Sequence, residues 1–179
     1  LDGLADDVLA VADATGTDRF HLVGESTGGT VALYLAVRGE NRLTGITASN
    51  AAHRGGSITK VQQWHDFIAA NGVAAWSRQM MEDRFHPGEL DDAAYAWYDG
   101  VQAASEPASL LGIADMLIAA DLSDRLGEIA VPTLLLAPED SPFVAAELMA
   151  EIAAAVPDAA LIHFPGTRHG LPFSAGAAC

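Results

Sequence analysis

The feature that most restricts the fold of this chain is Gly24-Glu25-Ser26-Thr27-Gly28, a G-x-S-x-G pattern between an apolar run and a helical one. Before it, Phe20-His21-Leu22-Val23 reads as a short buried strand. After it, Val31, Leu33, Tyr34, Leu35 and Val37 follow helical spacing. A serine at such a strand-to-helix turn is held in an unfavourable backbone conformation, with its hydroxyl projecting above the sheet. Glycines two residues before and after it are expected to let strand and helix approach. The helix N-terminus adds partial positive charge where an oxyanion would develop. The same short pattern occurs in phosphate-binding turns and at serine-capped helices, but a strand leading into a helix is the setting a nucleophile needs.

The rest of the chain repeats that unit. Residues 4–13 place Leu4, Val8, Leu9 and Val11 or Ala12 at helical spacing, and Gly16 is a suitable terminator. Leu43 to Ala48 is a second candidate strand. From about Lys60 to Leu126 only helical patterns appear: Trp64, Phe67 and Ile68 on one face, Trp76, Met80 and Met81 on another, Leu110, Leu111, Ala114 and Leu117 on a third. Pro87 and Pro107 break them. Beta character returns at Val131-Pro132-Thr133-Leu134-Leu135-Leu136. A helix follows from about Phe143 to Ala155, then a strand at Ala160-Leu161-Ile162-His163-Phe164. Strands alternating with helices imply an α/β class with parallel pairing and right-handed crossovers. Four strands, near 20–23, 44–49, 132–137 and 160–164, are expected to lie side by side in that order. The central helical block is too long for one crossover and reads as a lid inserted above the sheet. The expected organisation is a core over 1–55, a lid over 56–126 and a returning core over 127–179.

Charge narrows the partners. Against 24 acidic residues stand 9 basic ones, for a net charge of −15. Such a surface repels nucleic-acid backbones and anionic lipid heads, so a small-molecule ligand is expected, with no nucleic acid and no membrane. Oligomeric state is not readable. Cys179 is the single cysteine, so no internal disulfide is possible, and no cysteine cluster suggests a metal. No cofactor is implied, and a reducing, cytoplasmic setting is the simplest expectation. Leu1 is not an initiating Met, and the chain is expected to be part of a longer one.

A serine hydroxyl attacks well only when a base takes its proton. Of six histidines, His21 and His163 fall within strands, and His65 and His86 fall in the helical block. His53 follows the second strand, where a structural role is favoured. His169 alone follows the last strand, in the loop Pro165-Gly166-Thr167-Arg168-His169-Gly170, and is the expected base. The acid orienting it should follow the third strand, at Pro138-Glu139-Asp140-Ser141-Pro142. Asp140 is favoured there, with Glu139 in reserve. The backbone N–H of Thr27 is the expected oxyanion donor. Trp64, Trp76, Met80, Met81, Phe85 and Trp97 are candidates for the lid side of an apolar pocket, or for packing within the lid.

These motifs resemble the α/β-hydrolase superfamily along nearly the whole chain. The stretch Ser49-Asn50-Ala51-Ala52-His53-Arg54-Gly55-Gly56, with Trp64 and Gly72-Val73-Ala74-Ala75, is similar to the 3-oxoadipate enol-lactonase group. The resemblance implies a partial α/β-hydrolase fold and a serine hydrolase that opens a carboxylic ester or enol-lactone through an acyl-enzyme. A carbon–carbon bond hydrolase, a cofactor-free perhydrolase and a non-catalytic binding protein on the same fold are the alternatives. Family members carry a small residue, two variable residues and then Asp after this third strand. Counting from Ala137 puts Asp140 in that slot; counting from Pro138 puts Ser141 there. The family also has strands before the nucleophile strand and a loop among them that supplies a second oxyanion donor. Neither is present, so this chain by itself is expected to have little activity.

Overall fold

The computed structural model describes residues 1–179. Helix α1 (Asp2–Ala14) leads to strand β1 (Phe20–Glu25), helix α2 (Thr27–Val37) and strand β2 (Leu43–Ser49). Four helices follow: α3 (Trp64–Asn71), α4 (Val73–Arg84), α5 (Asp92–Ala103) and α6 (Pro107–Ala119). Strand β3 (Thr133–Pro138), helix α7 (Ala146–Ala155), strand β4 (Ala159–Phe164) and the short helix α8 (Leu171–Ser174) complete the chain. The strands form one parallel sheet in the order β1-β2-β3-β4, as the alternating pattern requires. None of the helices is long and apolar enough to cross a membrane.

Parallel pairing brings the carboxyl ends of all four strands to one edge. Glu25 is paired with Ser49, Ser49 with Leu136, and Leu136 with Ile162. The residues just past those ends therefore meet above the sheet. Helix α2 is the central support. It is apolar nearly all round, and every residue from Gly29 to Val37 except Tyr34 is buried, so it sits inside the core. Its one buried hydroxyl, on Thr30, donates to the Ala52 carbonyl at 2.8 Å. That bond ties α2 to the chain leaving β2.

The remaining core joins both parts of the chain. Ile46 and Ala48 of β2 and Leu135 and Ala137 of β3 are sealed, and Met149 and Ile152 of α7 pack on the same cluster. Trp76 and Met80 of α4 and Ala114 and Leu117 of α6 extend that cluster over the carboxyl edge of the sheet. Ring edges of Trp64 and Trp76 meet at 5.0 Å between centroids. Gly55 makes this approach possible, because a Cβ there would fall 1.7 Å from the Leu117 carbonyl oxygen. The two outer strands leave apolar side chains bare, with Val23 of β1 at 69% exposure and Ile162 of β4 at 47%.

Candidate active site

Ser26 separates β1 from α2 at φ 56° and ψ −120°, a conformation that L residues avoid. The glycines explain why the chain can take this turn. An ideal Cβ on Gly24 would lie 2.2 Å from the Gly28 carbonyl oxygen, so only glycine fits. Gly28 differs from expectation, because a Cβ there meets nothing within 4 Å and the residue is exposed. The close approach on the helix side belongs to Gly29, where a Cβ would sit 2.6 Å from the Cβ of Ala51. Thr27 begins α2, so its N–H is one of the helix's four free donors. Thr27 also lines the cavity that Ser26 faces.

His169 lies beside Ser26. Its Nε2 lies 2.9 Å from Ser26 Oγ, and the residue is 3% exposed. Its loop is fastened to α4: the Gly170 N–H donates to the Arg84 carbonyl at 3.2 Å. Gly170 packs closely against Phe85, since a Cβ would come within 2.1 Å of that ring. The Phe143 ring meets the imidazole edge-to-face at 4.8 Å. Burial and the Arg84 guanidinium hold His169 well below the usual histidine range, so the ring is neutral.

The expected acids do not reach the ring. Glu139 Oε1 lies 3.2 Å from His163 Nδ1, and Asp140 Oδ2 lies 3.2 Å from His86 Nε2 with its side chain 48% exposed. The cause is the turn after β3. Backbone N–H groups of Glu139 and Asp140 donate to Phe164 and Thr167 carbonyls, which fastens both residues beside β4. The next residue, Ser141, is the one that faces inward. The slot thus counts from Pro138 and holds a hydroxyl.

Asn50 occupies the place of the acid. It lies one residue past β2, is fully buried and has a φ of 43°, which asparagine tolerates better than most residues. Its Nδ2 donates to the Val144 carbonyl at 3.2 Å, which leaves Oδ1 facing the Ser141 hydroxyl at 2.8 Å and His169 Nδ1. An amide oxygen can only accept, so Nδ1 must carry the imidazole proton and Nε2 must present its lone pair to Ser26. The arrangement is a hydrogen-bonded chain, Ser26–His169–Asn50, steadied by Ser141, with no charge on its third member. The local pattern around Asn50 does not single it out as a partner of His169. The available signal was a polar residue at the end of an apolar strand adjacent to the nucleophile strand.

A carboxylate does approach from the other side. Glu25 Oε1 lies 3.5 Å from His169 Nε2 and has no hydrogen-bond partner, and it is sealed although the side chain as a whole keeps 28% exposure. Burial pushes this carboxyl up to about 7, against the opposing pull of Arg84.

Above Ser26 and His169 lies a cavity of about 390 Å³ with mostly apolar walls. Trp64, Trp76 and Met80 line it as expected. Met81 and Phe85 are buried outside it, while Trp97 is 59% exposed beside Phe173 in a separate shallow groove. His53 is buried with Nε2 3.3 Å from Glu151, away from Ser26, in keeping with a structural role. No group of three or more His, Cys, Asp or Glu residues is arranged to hold a metal.

Comparison with known proteins accords with this fold. The alpha/beta hydrolase family model matches residues 1–179. A relative from Azorhizobium caulinodans with the provisional name carbamate hydrolase RutD is 26% identical over 93% of the chain and 65% of its own length. The 3-oxoadipate enol-lactonase 1 of Acinetobacter baylyi is 30% identical over 79% of the chain and 54% of its own length. The enol-lactonase structure from Burkholderia xenovorans LB400 superposes with a TM-score of 0.90 at 21% identity, covering 99% of the chain and 68% of that protein. The chain thus spans between about half and two thirds of the length of these curated relatives.

Proposed function

We propose, from the premise that this chain belongs to the alpha/beta hydrolase family, that it carries the catalytic core of a serine hydrolase acting on carboxylic esters or enol-lactones. The observation that carries this reading is the 2.9 Å approach of His169 Nε2 to a Ser26 hydroxyl held on a strained strand-to-helix turn. Ser26 Oγ attacks the acyl carbon while its proton passes to Nε2. Asn50 Oδ1 keeps the proton on Nδ1 and so keeps Nε2 free to accept. The Thr27 N–H, at the positive end of α2, is aimed at the developing oxyanion. His169 then protonates the leaving oxygen, and a water activated by the same nitrogen releases the acyl group. The apolar cavity suits a short acyl or lactone ring. The enol-lactonase likeness favours a cyclic ester, and the relative named for carbamate hydrolysis makes carbamates the next substrates to try.

A second reading, a ligand-binding protein on this scaffold, is favoured by one observation: the partner at Nδ1 is a neutral amide. A fluorophosphonate probe separates the two. Under the hydrolase reading the probe forms an adduct on Ser26, found by mass spectrometry of the digested protein and absent in Ser26→Ala. A panel of short nitrophenyl esters, enol-lactones and carbamates then defines the substrate. An intact, folded chain that forms no adduct on Ser26 would sink the hydrolase reading, whatever its turnover of the panel.

A further inference from the structure

We infer that Glu25 is the counter-charge of the catalytic base: it stabilises the His169 imidazolium from the Nε2 side, in place of the carboxylate that no residue brings to Nδ1. The inference rests on reading Ser26 and His169 as nucleophile and base. When Ser26 attacks, its O–H bond breaks, the proton moves to Nε2, and the ring becomes a cation. At Nδ1 that cation finds only the Asn50 amide oxygen, a dipole without net charge. Asp140 and Glu139 are paired with other histidines. Glu25 Oε1, at 3.5 Å, is the single carboxylate oxygen within ion-pair distance of His169.

The surroundings of Glu25 fit a group awaiting a partner. Its Oε1 is buried and makes no hydrogen bond, an arrangement that is costly unless a cation forms beside it. From α4, Arg84 favours the ionised carboxyl and opposes a charged His169. From α5, Tyr98 faces the same region, and burial together with the Glu25 charge keeps its phenol protonated. From the turn itself come the Ser26 hydroxyl and, across it, His169. Arg84 alone would leave the buried imidazolium strongly disfavoured; an ionised Glu25 restores the balance. Because Glu25 acts through His169, it is a positioning residue.

The consequence is a displaced pH dependence. His169 is neutral across the physiological range, so its own titration does not limit the rate there. Glu25 titrates near 7, so the rate of Ser26 acylation rises with pH through about 7 and then levels. An opposite charge at this range shifts a partner's pKa by about 1–3 units; because the proton is only partly transferred in the transition state, removing it should slow acylation by roughly 10–100-fold.

The test measures the rate of fluorophosphonate adduct formation on the 179-residue chain from pH 5.5 to 8.5, alongside the NMR signal of the His169 Cε1–H. For the native chain the expectation is a rise in rate, and an inflection of the His169 signal, both centred near 7. In Glu25→Gln the rate above pH 8 should fall roughly 10–100-fold, the pH dependence should flatten, and the inflection near 7 should vanish. Arg84→Gln, which removes the cation favouring ionisation, should move both midpoints upward and provides the test if Glu25→Gln does not fold. A purely structural Glu25 would lower the rate without changing the shape of the profile. A His169 inflection near 7 that survives in Glu25→Gln, or midpoints unmoved in Arg84→Gln, overturns the proposal. Absence of any adduct in the native chain would instead refute the nucleophile reading, and the NMR titration would still decide whether Glu25 and His169 are coupled.

Discussion

Replacing Ser26 by glycine should yield a more stable protein than replacing it by alanine. Both changes delete the hydroxyl and its 2.9 Å hydrogen bond to His169, so their difference isolates a single Cβ at φ 56° and ψ −120°. Holding a non-glycine residue in so sparse a region costs on the order of 1–3 kcal/mol. Glycine returns about 0.5–1 kcal/mol of that through the greater freedom of its unfolded chain. About 1 kcal/mol should remain in favour of glycine, which for a chain of this size raises Tm by roughly 2–4 °C. Urea denaturation of both variants, followed by tryptophan fluorescence, measures the difference directly. Equal midpoints, or a higher one for Ser26→Ala, would show that the turn is not strained and that the glycines around it are not serving the serine.

Two further outcomes follow from the same region. Glu25→Gln should change how stability depends on pH. Because the folded carboxyl holds its proton up to about 7 while the unfolded one releases it near 4.5, its stabilising contribution is complete below 4.5 and lost as pH rises through 7. The native chain should lose up to about 3 kcal/mol from this source across that window and Glu25→Gln should not; parallel stability curves would contradict this. Gly24→Ala and Gly28→Ala should behave oppositely although both alter the motif. The first forces a Cβ to within 2.2 Å of backbone and should unfold or lower Tm sharply, while the second meets open space and should leave Tm within a few degrees, as thermal scans by circular dichroism would record.

The sheet is legible because each strand is a short run rich in apolar or β-branched residues, β3 and β4 are set off by prolines, and parallel order follows from the helices between them. The pairing of Ser26 with His169 was legible for a related reason: both sit in loops directly after strands, where side chains have few places to go. Asp140 was misread because a turn rotates successive side chains to opposite sides, and one residue of register after β3 exchanges an inward Ser141 for an outward Asp140. Asn50 escaped because its role depends on the neighbour across the sheet. Nothing in the local pattern of β2 states that its end abuts Ser26, although Ser26 N–H does donate to the Ser49 carbonyl at 2.9 Å. Glu25 escaped for the opposite reason, being inside the motif yet at one of its variable positions. Burial, which sequence cannot supply, is what gives it chemistry.

The hydrogen-bonded relay takes one residue from beyond the end of each strand: Ser26 after β1, Asn50 after β2, Ser141 after β3 and His169 after β4. Its links join positions 143, 119 and 91 residues apart in the chain. No local segment can form it, and the last strand must be seated before His169 arrives. Refolding should therefore recover helix and compactness first and reactivity at Ser26 last, since contacts closing such long loops form late. Reactivity becomes a reporter of strand register across the whole sheet. A slip in any one strand that spectroscopy would scarcely notice would silence it.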